Sequence, residues 1–180
     1  MTRSLQANRL NMRTFAQDAY PLKVATPLQS FERLAGEAQG LQPESTVQWE
    51  ALGELRPRAG VEDDVWLHLQ AKAHVPLNCQ RCMAVVMTSL DVDQWYRFVA
   101  DEEAAMAEDD ESEEDLLVME PQFDLMAVLE DELLMALPLV PMHEECPVAP
   151  LLQAGEAEVG EVSAQKPNPF AALSQLKTKK

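Results

Sequence analysis

Between Val65 and Leu77 every odd position is apolar: Val65, Leu67, Leu69, Ala71, Ala73, Val75 and Leu77. Trp66, His68, Gln70, Lys72 and His74 fall between them. A period of two over this length predicts a strand in a sheet with one buried and one wetter face. Val47, Trp49 and Ala51 alternate in the same way and predict a strand ahead of it, with Pro57 and Gly60 marking the turn. Residues 83–99 continue in strand composition, through Val85, Val86, Thr88, Leu90, Val92, Trp95, Tyr96 and Phe98. Asn78–Cys82 is the natural hairpin connection between the two long strands.

Elsewhere the period changes. Leu28, Phe31, Leu34, Ala35 and Ala38 have helical spacing, and Gly40 stands just beyond as a stop. Asp124 reads as the N-cap of a helix through Leu137. Leu125, Met126, Leu129, Leu133, Ala136 and Leu137 share one broad face of it, and Pro138 and Pro141 end it. Residues 1–20 predict an arm or a short, weak helix, and Leu22–Ala25 a short extended piece between prolines. The expected fold is α+β: an antiparallel β meander packed with one long buried helix, plus a flexible acidic loop and a C-terminal tail. The expected organisation is an arm over 1–20, a single domain over 21–143, and a linker and tail over 144–180. In the tail, Asn168 suits an N-cap and Pro169 the first helical position of a short helix. Phe170, Leu173 and Leu176 would form its apolar stripe, with Lys177, Lys179 and Lys180 at its C-terminal end.

Charge divides the chain differently from hydropathy. The net charge is −17, and 47% of residues are apolar, enough for a core without disulfides. Residues 1–97 are nearly balanced at −1; residues 98–165 hold twenty acidic residues and no Lys or Arg; residues 166–180 carry +4. The middle segment would repel a phosphate backbone and attract a basic partner, ribosomal proteins being a plentiful class. Ten acidic residues fall within 101–115, where little apolar surface can offset the entropy of ordering, so a mobile loop is expected. No apolar run approaches the roughly 20 residues of a spanning helix. No apolar segment follows Arg3, Arg9 and Arg13 as in a secretory signal. The expected compartment is the cytoplasm, with no membrane contact.

Candidate chemistry centres on three cysteines, Cys79, Cys82 and Cys146. An odd number argues against a disulfide framework. Cys79-Gln80-Arg81-Cys82 presents two sulfurs to one metal ion, and His143-Glu144-Glu145-Cys146 supplies a second pair, together a set of the kind structural zinc uses. The pair can equally pack as small apolar side chains at a strand end, or serve thiol–disulfide exchange. Strand-like residues follow the motif, whereas redox sites place it at a helix N-terminus. No G-x-G-x-x-G, P-loop or G-x-S-x-G motif is present, and the carboxylates cluster rather than converge in spaced pairs. No enzyme and no small-molecule substrate are expected.

Three blocks carry a resemblance: Cys79–Cys82; Asp124–His143, with its Glu130-Asp131-Glu132 helix ending in Leu-Pro-x-x-Pro; and Gln165–Lys177. In order and spacing they resemble the YceD family of large ribosomal RNA subunit accumulation proteins, over roughly residues 20–180. The resemblance implies a role in synthesis, processing or accumulation of large-subunit (23S-type) ribosomal RNA. Some members carry additional cysteines after the Leu-Pro-x-x-Pro element; this chain has His143 and Cys146 there. Partner contacts are expected from Arg81, Glu130, Asp131 and Glu132, and from Lys166, Asn168, Pro169, Phe170 and Leu173. The charge map suggests that segment 101–115 shields a basic ribosomal protein or assembly factor while sheet and tail supply the specific contact. The alternatives are direct binding of precursor ribosomal RNA through Arg56, Arg58, Lys72, Arg81, Arg97 and the terminal lysines, and a thiol oxidoreductase using Cys79 and Cys82.

Overall fold

The alternating segments form the strands they predict. A computed structural model describes residues 7–58, 60 and 62–148. Its sheet runs in the order β1 (Leu22–Pro27), β2 (Thr46–Arg56), β3 (Asp64–Asn78), β4 (Val85–Val99) and β5 (Asp115–Val118). The first four strands are an antiparallel meander, and Leu67 of β3 sits between Gly53 and Tyr96. β5 departs from the expectation: it pairs with β4 in parallel, from Tyr96↔Asp115 to Val99↔Val118, so the sheet is mixed. Residues 100–114 make the crossover that parallel neighbours require.

The odd positions of β3 turn inward and are buried, together with Val47, Trp49 and Ala51 of β2 and Leu90, Val92, Tyr96 and Phe98 of β4. Helices cover this face. They are α1 (Met12–Asp18), α2 (Glu32–Glu37) and α4 (Leu125–Met135), with α3 (Glu102–Glu108) lying in the acidic segment. Met12, Phe15, Leu28, Phe31, Leu34, Leu125, Leu129 and Leu133 close the core against the sheet. Each large apolar side chain so buried contributes about 1.5–3 kcal/mol.

The single long helix of the expectation is instead an 11-residue α4 that shares the inner face with α1 and α2. Asp124 caps it as predicted, accepting from Ala127 N at 3.0 Å. Its last turn tightens, with Leu137 N donating to Leu134 O at 3.2 Å. The ring of Pro138 disfavours helical backbone at the residue before it.

Residues 7–20, expected as an arm or a short, weak helix, form the short helix α1 and contribute Leu10, Met12, Phe15 and Ala16 to the core. Asn11 caps α1 by accepting from Thr14 N at 2.9 Å. Leu10 and Phe123 exchange backbone hydrogen bonds of 2.9 and 2.8 Å, tying the N-terminal segment to the start of α4. Gly53 makes room for α1: a Cβ there would stand 2.8 Å from Ala16 Cα. Polar residues in this stretch hide a short apolar stripe, Met12, Phe15 and Ala16, that needs the sheet in order to be buried.

The acidic segment, expected as a mobile loop, carries short elements of secondary structure. Asp101 caps α3, a 3-10 turn follows at Asp109–Glu111, and β5 begins at Asp115. Arg97, 7% exposed, organises it by reaching Glu114 at 2.6 Å, Glu108 at 2.7 Å and Ser112 at 2.8 Å. A buried guanidinium requires such acceptors, so one strand residue draws the charged chain onto the sheet. The chain divides into two units, Met1–Ala149 and Pro150–Lys180, and the described residues belong to the first.

Candidate metal centre

Cys79 directly follows β3, and Cys82 lies in the tight connection to β4. Cys79 N donates to Ala84 O and Met83 N to Cys79 O, both at 2.9 Å, which curls residues 79–84 into a knuckle. Met83 adopts φ 61° to close it. The chain leaving α4 is turned by Pro138 and Pro141 and laid along this knuckle, where Gln80 N donates to Pro141 O at 2.9 Å. That hydrogen bond delivers His143 and Cys146 to the hairpin.

The four ligand atoms of Cys79, Cys82, His143 and Cys146 all lie within 4.8 Å of one another. Cys79 Sγ is 4.0 Å from Cys146 Sγ, and Cys82 Sγ is 3.5 Å from His143 Nδ1. Zinc–sulfur bonds of about 2.3 Å and zinc–nitrogen bonds of about 2.0–2.1 Å, set tetrahedrally, give edges of roughly 3.8 and 3.6 Å. The donor set therefore has the size of a four-coordinate site. Its histidine is oriented for ligation: Nε2–H donates to Val85 O at 3.1 Å, which leaves the Nδ1 lone pair facing the sulfurs. Cys79 is buried and the other three are partly so.

The sulfurs are electrostatically unequal. Burial pushes the Cys79 thiol up, but the backbone N–H groups of His143, Cys82 and Arg81, and the His143 side chain, outweigh it and hold the thiol at about 5. The His143 N–H lies 3.5 Å from this sulfur. Cys146 is raised, by burial first and then by the sulfurs of Cys82 and Cys79. One thiolate thus resists ionisation of its neighbour, a conflict that a divalent cation relieves. All three cysteines are free thiols. The motif sits in a β-hairpin, with no helix N-terminus to activate it for exchange.

The other candidate residues divide in two. The Arg81 guanidinium reaches Met142 Sδ at 3.9 Å. In the Glu130-Asp131-Glu132 run, Glu132 is buried, Glu130 is partly buried and Asp131 is exposed. Glu130 accepts from Arg33 N at 2.8 Å and Leu34 N at 3.3 Å, capping α2, and also binds the Arg33 guanidinium at 3.1 Å. Asp131 takes another arm of Arg33 at 2.5 Å. Glu132 is buried and accepts from the Tyr96 hydroxyl. Burial, then Glu132, raises the Tyr96 pKa and keeps the phenol protonated. Lys166, Asn168, Pro169, Phe170 and Leu173 lie outside the described residues.

Sequence reasoning missed an assembly on the outer face of the sheet. His68 stacks on Trp95 (centroids 4.1 Å apart, planes within 4°), and Arg56 packs over Trp95 and Trp66 at 4.3 and 4.0 Å. Alternation already put Trp66 and His68 on the wetter face. Their meeting with Trp95 and Arg56 depends on cross-strand register, which alternation does not specify.

Fold and site define a small α+β domain with a closed thiolate–imidazole clip at one end of its sheet. The profile of the family described as "Large ribosomal RNA subunit accumulation protein YceD" matches residues 67–177, and the chain belongs to that family. It is 41% identical over 117 residues to the large ribosomal RNA subunit accumulation protein YceD of Haemophilus influenzae. That alignment spans 58% of this chain and 61% of the relative's length. No solved structure matches the chain. Among the described residues no helix is long and apolar enough to cross a membrane.

Proposed function

We propose that this protein is a non-enzymatic, cytoplasmic ribosome-biogenesis factor. It supports synthesis, processing or accumulation of large-subunit (23S) ribosomal RNA by binding a basic ribosomal protein or assembly factor. The family and the printed name of its Haemophilus influenzae relative supply the pathway. The charge pattern carries the mode of action: residues 98–165 hold twenty acidic residues without a Lys or Arg. Four of the cations that the alternative partner, precursor RNA, would use are paired within the chain. Arg56 pairs with Glu54, Arg58 with Asp64 and Glu108, Lys72 with Asp91, and Arg97 with Glu108 and Glu114. A cation neutralised within the chain releases few counterions from a phosphate backbone.

Cys79, Cys82, His143 and Cys146 would hold a structural zinc ion. The metal would join the hairpin to the chain leaving α4 and supply folding energy rather than catalysis, since four protein ligands leave no open position.

Affinity capture from lysate tests the partner. The intact chain is expected to retain basic ribosomal proteins at low salt and to lose them as ionic strength rises. Retention of ribosomal RNA after ribosomal proteins have been stripped would defeat this reading.

A further inference from the structure

We infer that the outer face of the sheet carries a guanidinium slot, formed by Trp66 and Trp95 and filled in cis by Arg56, which is yielded to an arginine of a basic partner segment. The inference rests on the basic-partner reading above and names the chemistry and place of one contact.

Four observations converge on this slot. The two indoles stand edge to face, with centroids 6.4 Å apart, and the Arg56 guanidinium packs on both rings. The slot is thus already dimensioned for one planar cation. Its back wall is braced: His68 stacks on Trp95 and is itself held by Asp93 at 2.6 Å, while Gln70 holds the other oxygen of Asp93 at 2.9 Å. The occupant is a surface side chain: Arg56 is 40% exposed and is otherwise held by Glu54, itself 36% exposed. Finally, the Trp66 indole N–H is buried without a hydrogen-bond partner. Arg56 cannot satisfy it, since a guanidinium carries no acceptor, whereas a peptide segment brings main-chain carbonyls.

Charge selects the class of visitor. The Trp66–Trp95 pair opens into a cavity of about 470 Å³ that Glu113 and Asp115 also line, and both carboxylates are exposed. Arg97 places them there by holding Glu114 between them. Aromatic faces beside carboxylates favour a cation, and a planar guanidinium stacks on an aromatic face where an ammonium does not. The same carboxylates repel the phosphates of RNA, so stacked bases are the disfavoured occupant.

The test uses the purified full chain and two ten-residue peptides, one alternating Arg and Ser, the other Lys and Ser. Binding is followed by tryptophan fluorescence and by the indole N–H resonances of Trp66 and Trp95. The arginine peptide is expected to bind about tenfold tighter than the lysine peptide and to shift both indoles. Arg56→Gln removes the occupant in cis and is expected to tighten the arginine peptide severalfold. Trp95→Leu should abolish the preference for arginine. Equal affinity of the two peptides, or an Arg56→Gln variant that binds no better than the parent, overturns the slot. So does single-stranded RNA that moves the same indoles more tightly than the arginine peptide. If Trp95→Leu does not fold, the Arg56→Gln comparison decides alone. Capture of ribosomal proteins without the peptide effects sinks the slot and leaves the proposed function standing; the reverse pattern sinks the proposed function and leaves the slot.

Discussion

Tyr96 and Glu132 show how a residue that reads as surface charge can be a core residue. The acid lies in a run of three on α4, yet it is buried and accepts from the Tyr96 hydroxyl. Replacing Tyr96 by Phe would leave a buried carboxylate without that partner, and a loss of about 1–3 kcal/mol in urea unfolding is expected. A change within a few tenths of a kcal/mol would mean that water reaches Glu132. Arg33 was not singled out from the sequence, because its role appears only when α2 and α4 meet. Glu130 caps α2 through two backbone N–H groups while its other oxygen holds the arginine. The four metal-ligand candidates, by contrast, were legible residue by residue. Cysteine and histidine are few in this chain, and thiolate chemistry restricts what two Cys-containing pairs can do.

Among the elements, the strands were the most readable, since alternation over β3 directly reports a sheet with one dry face. The acidic segment was the least readable. Its composition argues for a loop, and its order derives from Arg97 on a different element. The pKa values of Glu108 and Glu114 lie below the usual 4.5, foremost because each accepts a hydrogen bond from Arg97. A carboxyl whose folded value is depressed stabilises the fold above its unfolded value and loses that contribution as pH falls through the folded one. Acidification from pH 6 to pH 3 is therefore expected to release α3 and the 3-10 turn before the sheet melts, seen as a loss of hydrogen-exchange protection, relative to the intrinsic rate at each pH, over residues 101–114. Arg97→Gln should show that loss of protection already at pH 7. If both proteins exchange alike across the range, the clamp contributes nothing.

At the scale of the molecule, the knuckle and the chain after α4 close a long loop: Cys82 and His143 are 61 residues apart in sequence and 3.5 Å apart in space. Protein purified without a metal-binding tag is expected to carry one zinc per chain with protected thiols. Removing the metal with a chelator should lower the melting temperature by about 5–10 °C. Metal-free protein with freely titrating thiols would return Cys79 to ordinary core packing. By itself the sequence determined the strand periods, the cap and stop of α4, the charge asymmetry, the two ligand pairs and the family, because each is written in neighbouring residues. Tertiary structure alone decided that β5 lies parallel to β4, that Leu10, Met12, Phe15 and Ala16 enter the core, and that Arg97 holds the acidic segment. It alone brought the two ligand pairs within bonding range and packed Arg56 against two tryptophans. These features rest on contacts between residues distant in the chain, where register and crossing geometry act and local pattern carries no signal.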